Sequence, residues 1–164
     1  MRTRELVLGG LLTAISLLIP LYFRGTFQIA IPALGFSATL ASHVPTMLAM
    51  PIGPWVAAAA ALGGTLGFFI TLGPVVAARA FTHVVWGVAG ALAIRNGATL
   101  LGGLLLTLPI HALGEGAVVW GATHAFQAGL LVTGTTVVHH ALDAAITLAV
   151  FAAVRPVLTT PRMS

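Results

Sequence analysis

Seven ionisable side chains interrupt apolar stretches of this chain where a lipid-facing helix would not tolerate them: Arg79, His83, His111, Glu115, His139, His140 and Asp143. A charge near a bilayer centre is costly enough that such residues face a protein interior and mark a pathway or a binding site. Their spacing groups them. Arg79, His83 and Trp86 stand at i, i+4, i+7, while His111 with Glu115 and His139 with Asp143 are i, i+4 pairs, each pair on one helix face. Three such stripes facing one another make a polar pocket in apolar surroundings, the usual form of a small-molecule site. Imidazole and carboxylate also suit zinc, and His111-x3-Glu115 and His139-His140-x2-Asp143 carry plausible ligands. The zinc-protease pattern HExxH and the serine pattern GxSxG are absent. The sequence therefore assigns no catalytic residue, no metal ligand and no cofactor. The plainer alternative is a structural network in which the histidines are hydrogen-bonded core residues and Arg79 pairs with Glu115 or Asp143. In that case Trp86 is packing and Trp120 an interfacial anchor.

The elements that must position these residues follow from composition. Of 164 residues, 59% are hydrophobic and 6% charged, and mean hydropathy is +1.07. A soluble domain is about a quarter charged, so the expected fold is all-α, a polytopic membrane protein in one domain, 1–164. The apolar runs predict six transmembrane helices. They span Leu6–Phe23, about Ser37–Met50, Trp55–Thr71, Val75–Ile94, Ala98 to about Trp120, and Thr136–Val154. The first run is long for a signal peptide and lacks a cleavage site directly after it, so it reads as a retained span. Arg24–Phe36 reads as an apolar loop that folds onto the protein, and the Gly- and Thr-rich stretch before Thr136 as a second long loop. With the N-terminus in the cytoplasm, Arg2, Arg4, Arg95, Arg155 and Arg162 all fall inside, and both termini are cytoplasmic. At about 1.5 Å of rise per residue, all three stripes then lie in the outer half of the membrane.

Several functions are excluded. There is no lysine, hence no P-loop and no lysine Schiff base; ATP-driven work needs another chain. No cysteine is present, which removes disulfides, thiolate ligands and a cysteine nucleophile. The net charge of +4 comes from arginines at the ends and in turns, not from a patch suited to nucleic acid.

The stretch from Phe36 to Ala91 resembles the substrate-binding S components of energy-coupling factor (ECF) vitamin transporters, and within them the niacin-type members. The likeness rests on Ala41-Ser42-His43-Val44-Pro45, on Gly63-Gly64-Thr65-Leu66-Gly67-Phe68, on Arg79-Ala80-Phe81-Thr82-His83, and on the segment from His111 to Glu115. The resemblance implies a six-helix subunit of a bacterial cell membrane that captures a small vitamin, niacin or nicotinate, near the outer face. It also implies work with a separate transmembrane coupling subunit and two ATPases. His43 joins the expected ligand-binding set on this basis. Docking in the family uses small residues on helix 1, often AxxxA; here Gly10-x3-Ala14 takes that place. Nicotinate would offer a carboxylate to Arg79 and a ring to Trp86 or Trp120. One cation against two carboxylates leaves the centre negative if the histidines are neutral. An anion then requires a protonated carboxyl, a charged histidine, or acids paired with histidines away from the ligand; otherwise a neutral or cationic ligand such as nicotinamide is preferable. The competing function is an intramembrane metal-dependent hydrolase built on the histidine and acid stripes.

Overall fold

A computed structural model describes residues 3–23, 25–31 and 36–159. Arg2, Arg24 and Arg162, three of the arginines behind the expected orientation, lie outside the described residues, as do Pro32 and Gly35 of the first loop. The elements in chain order are α1 (Thr3–Tyr22), β1 (Gln28–Ile31), β2 (Phe36–Thr39), α2 (Val44–Ala49), α3 (Pro54–Leu72), α4 (Pro74–Arg95), α5 (Leu100–Thr123) and α6 (Phe126–Thr159). Among the described residues five helices are long and apolar enough to cross a membrane: α1, α3, α4, α5 and α6. The protein is a polytopic, helical membrane protein.

Local chemistry sets the helix limits. Pro54 and Pro74 open α3 and α4, where a missing N–H costs nothing. A single residue, Gly73, joins α3 to α4 at φ +82°, a backbone region open to glycine without strain. Thr99 caps α5, its Oγ1 accepting from Gly102 N at 3.0 Å. Large apolar side chains such as Leu6, Leu11, Phe69, Leu105 and Leu142 are exposed on the bundle's outside, as a lipid solvent requires. Trp55 at one end, and Tyr22 and Trp120 at the other, are also exposed and mark the two interfaces.

The expected second span is not a continuous helix. Phe36–Thr39 pairs with Gln28–Ile31 as an antiparallel hairpin, and only Val44–Ala49 is helical. Proline explains it. A helix begun at Ser37 would bury Pro45 in its interior, losing the bond to Ala41 and clashing with that carbonyl; instead Pro45 lies in the first turn of α2. The chain still crosses here. Thr13, Ser16 and Leu17 of α1 meet Gly63, Gly64 and Gly67 of α3 in ascending order, so α1 and α3 run parallel and the segment between them returns to the starting side. Arg4 of α1, Pro51 and Ile52 after α2, and Val154 of α6 line one groove, which puts the start of α1 and the end of α6 at the same face. Six crossings are thus made by five long helices and one mixed segment.

From Ser42 to Met50 that segment is largely buried in protein, the condition for irregular backbone at membrane depth. Met47, Ala49 and Met50 are fully buried against Val56, Ala57, Trp86 and Leu104. Glycines on α4 make the room: a Cβ on Gly87 would stand 2.8 Å from Thr46 Cγ2, and one on Gly90 2.6 Å from Met50 Sδ. Gly63 and Gly67 do the same for α1, where an added Cβ would come 2.6 Å from the carbonyl oxygens of Thr13 and Leu17.

The second long loop is also absent. Only His124 and Ala125 separate α5 from α6, and the Gly/Thr-rich stretch is helix. Glycine and threonine are poor helix formers in water, but here Gly116 and Gly129 let α5 and α6 approach until an added Cβ on either would lie 2.8 Å from the other's oxygen. Because α6 starts at Phe126, His139 and Asp143 lie roughly 20 and 26 Å along it, further from the start of their helix than an element beginning at Thr136 implies.

The crossings make a labelling result predictable. Single cysteines replacing the exposed residues Thr26 and Gln127 should react with an impermeant reagent from one side, and one at Asn96 only from the other. Reaction of all three in intact cells would contradict the fold, and reaction of Asn96→Cys alone would reverse its orientation.

Candidate ligand site within the helix bundle

Four elements bring the site together. α4 supplies Arg79, His83 and Trp86; α5 supplies His111 and Glu115; α6 supplies His139, His140 and Asp143. His43, at the N-cap of α2, completes the set. All nine residues anticipated from sequence as ligand-binding meet in one cluster, and only His139 is more than marginally exposed. The stripes converge as spaced, with Arg79, His83 and Trp86 all buried on the inner face of α4.

Glu115 is the first hub. Its Oε2 lies 2.6 Å from Arg79 Nη2 and accepts from Thr136 Oγ1 at 2.8 Å. Its Oε1 lies 3.2 Å from His83 Nε2 and 3.3 Å from His111 Nε2. A carboxylate held by a guanidinium and a hydroxyl is well compensated for burial, so the alternative of an Arg79–Asp143 pair is not the one adopted.

Asp143 is the second hub, and its task differs. Oδ1 accepts from Ala41 N at 2.9 Å and Oδ2 from His43 N at 3.0 Å. The same Oδ2 sits 2.9 Å from His43 Nδ1 and 3.5 Å from His139 Nε2. This carboxylate therefore holds the irregular stretch just before α2, where two backbone donors have no helical partner. Ala41 takes φ +63° there, a region costly for a residue with a Cβ, and Asp143 holds it in place. His139 Nε2 contacts Thr39 O at 3.0 Å, tying α6 to the hairpin.

The rings pack densely. His43 lies 4.6 Å from His83 and 4.5 Å from His111, centroid to centroid, and His83 lies 4.9 Å from His111. Trp86, fully buried, lies 4.9 Å from His111 and 5.6 Å from His140. Trp120 is outside the site, half exposed and packed on Phe126. His43, His83, His111 and Glu115 each offer a metal-ligating atom within 4.8 Å of the others, and His43, His139 and Asp143 form a second such group. His140 belongs to neither; its Nδ1 faces His111 Nδ1 at 2.9 Å and its Nε2 faces Leu104 O at 3.1 Å.

Sequence reasoning missed Thr136 and the backbone donors of Ala41 and His43. Thr136 was the expected first residue of the last span, where a threonine is ordinary, and backbone donors carry no side-chain signal.

The structure thus defines a polytopic helical membrane protein whose crossing helices enclose a buried cluster of ionisable side chains, a feature that in membrane proteins points to a functional site. Over 96 residues, 58% of this chain, the sequence is 39% identical to the niacin transporter NiaX of Lactococcus lactis subsp. cremoris (strain MG1363). The matched stretch covers 41% of that relative's length. No family model and no solved structure matches the chain.

Proposed function

We propose that this chain is the substrate-binding membrane subunit of an ECF-type importer in a bacterial cell membrane, and that it captures niacin, as nicotinate, at the Arg79–Glu115 centre. The similarity to a niacin transporter carries this reading. The buried cationic fork of Arg79 supports it, because guanidinium suits bidentate recognition of a carboxylate, and Trp86 offers an aromatic face within the same cluster. The driving force comes from elsewhere: a coupling subunit and two ATPases bring the ATP chemistry that a lysine-free chain lacks.

A groove of about 770 Å³ runs between the hairpin and α6, lined by residues that include Phe27, Ile29, Leu131, Val138 and His139. The inner cavity, lined by residues that include His43, Arg79, His83, Glu115 and again His139, holds little more than a water molecule. Nicotinate enters from the groove past His139, and the hairpin and the turn before α2 shift to admit it. Docking to the coupling subunit uses α1. Gly10 and Ala14 lie on its exposed face, turned away from α3, and nothing stands within 4 Å of a Cβ placed on Gly10.

Isothermal titration of purified protein should give one nicotinate per chain. Gly10→Leu should leave that affinity within about twofold while abolishing uptake in cells that express the coupling module, because a bulky residue blocks close helix approach. Absence of nicotinate binding by the unmodified protein would overturn the reading.

A further inference from the structure

We propose that His43, His83, His111 and Glu115 form a binding site for one divalent transition-metal ion of the zinc type. The proposal stands independently of the vitamin reading. Leu104 O can only accept, so His140 Nε2, 3.1 Å away, carries the hydrogen. A neutral His140 then presents a lone pair at Nδ1, and His111 Nδ1 at 2.9 Å must donate to it. The remaining nitrogen of a neutral His111, Nε2, is left as a lone pair, fully buried and without a hydrogen-bond partner. It faces Glu115 Oε1, itself an acceptor, at 3.3 Å. Two electron pairs turned toward each other in a buried interior call for a cation between them.

The spacing fits a metal. Tetrahedral zinc with bonds of about 2.0–2.1 Å sets its ligand atoms about 3.3 Å apart. His83 Nε2 and His111 Nε2 stand 3.2 and 3.3 Å from Glu115 Oε1, and the widest separation in the set is within 4.8 Å. Closing the set requires at most about 1.5 Å of side-chain adjustment. The outer contacts are also of the kind that orient metal ligands: Asp143 beside His43 Nδ1, His140 on His111 Nδ1, and Arg79 and Thr136 on the far oxygen of Glu115. Three imidazoles and one carboxylate suit zinc, nickel or cobalt. The ion also changes the charge count. With a divalent cation present, Arg79, Glu115, Asp143 and one bound carboxylate sum to neutrality.

The test uses tag-free full-length protein in detergent, stripped with chelator and then titrated with Zn²⁺ without nicotinate. One tightly held zinc per chain is expected by elemental mass spectrometry, and Co²⁺ substitution should give the intense visible absorption of a tetrahedral site. His111→Ala and His83→Ala should each weaken zinc binding at least ~100-fold, whereas His124→Ala, at the exposed α5–α6 turn, should leave it unchanged. Thermal unfolding of each variant separates lost ligation from lost fold, and zinc should raise the Tm of the unmodified protein but not of His111→Ala. Failure of stripped, folded protein to take up zinc would overturn the proposal and leave a protonated His111 as the required cation. Zinc lost in His139→Ala but retained in His83→Ala would move the ion to the other histidine–acid group and equally overturn it. Zinc uptake without nicotinate binding would leave this site standing and remove the vitamin reading, and the reverse result would do the opposite.

Discussion

Arg79→Ala is expected to abolish measurable high-affinity nicotinate binding, with a loss of about two orders of magnitude or more, the equivalent of a charge-assisted pair worth a few kcal/mol in a desolvated site. It should also lower Tm. Arg79 is 3% and Glu115 5% exposed, and breaking such a pair leaves a buried carboxylate at a cost of about 3–5 kcal/mol. Two comparisons separate recognition from folding. Arg79→Lys restores a positive charge beside Glu115 and should recover most of the stability, but it should recover binding only in part because an ammonium lacks the planar fork. Nicotinamide, without the carboxylate, should be far less sensitive than nicotinate to either substitution. Equal losses for acid and amide would make Arg79 a structural partner of Glu115 and take it out of ligand recognition.

The second large effect is expected at Asp143. Its side chain is fully buried and receives the backbone N–H groups of Ala41 and His43. Asp143→Ala strands both donors and the Nδ1 edge of His43 inside the bundle, and each unsatisfied buried group costs about 1–3 kcal/mol. The variant should unfold several degrees below the unmodified protein, or fail to accumulate. Asp143→Asn keeps the shape but turns an amide NH₂ toward one of the two backbone donors, and should sit between. An Asp143→Ala protein as stable as the unmodified one would mean that the segment before α2 is held by packing alone. Cysteine at Ser42, buried in the unmodified protein, should become reactive in Asp143→Ala if the segment is released.

Much of this was legible in the sequence. The helical periods of Arg79–His83–Trp86 and of His111–Glu115 place those residues on shared faces without reference to any neighbour, and hydropathy alone marks the long helices. What was not legible depends on tertiary context. The Gly/Thr-rich stretch before Thr136 has the composition of a loop, and its packing as a helix against α5 at Gly116 and Gly129 depends on residues outside the stretch. The second crossing has the hydropathy of a short helix, yet Pro45 and the acceptor waiting at Asp143, 100 residues along the chain from His43, favour hairpin and turn. The choice of Glu115 over Asp143 as the partner of Arg79, and the role of Thr136, follow from how far each helix is displaced along its axis, which no local pattern encodes.

The crossing between β2 and α2 has a consequence for motion. A spanning helix is cooperative, and opening one amide means breaking a ladder with no water at hand. Here the amides of Ala41 and His43 depend on a single carboxylate, and a stretch held by so few backbone bonds is expected to open separately from the helices around it. Amide hydrogen exchange would register it as an early-exchanging pair flanked by protected helices, and a ligand that closes over the segment would slow that pair selectively. The backbone held by Asp143 thereby adjoins the buried cluster, with the ring of His43 packed against His83 and His111.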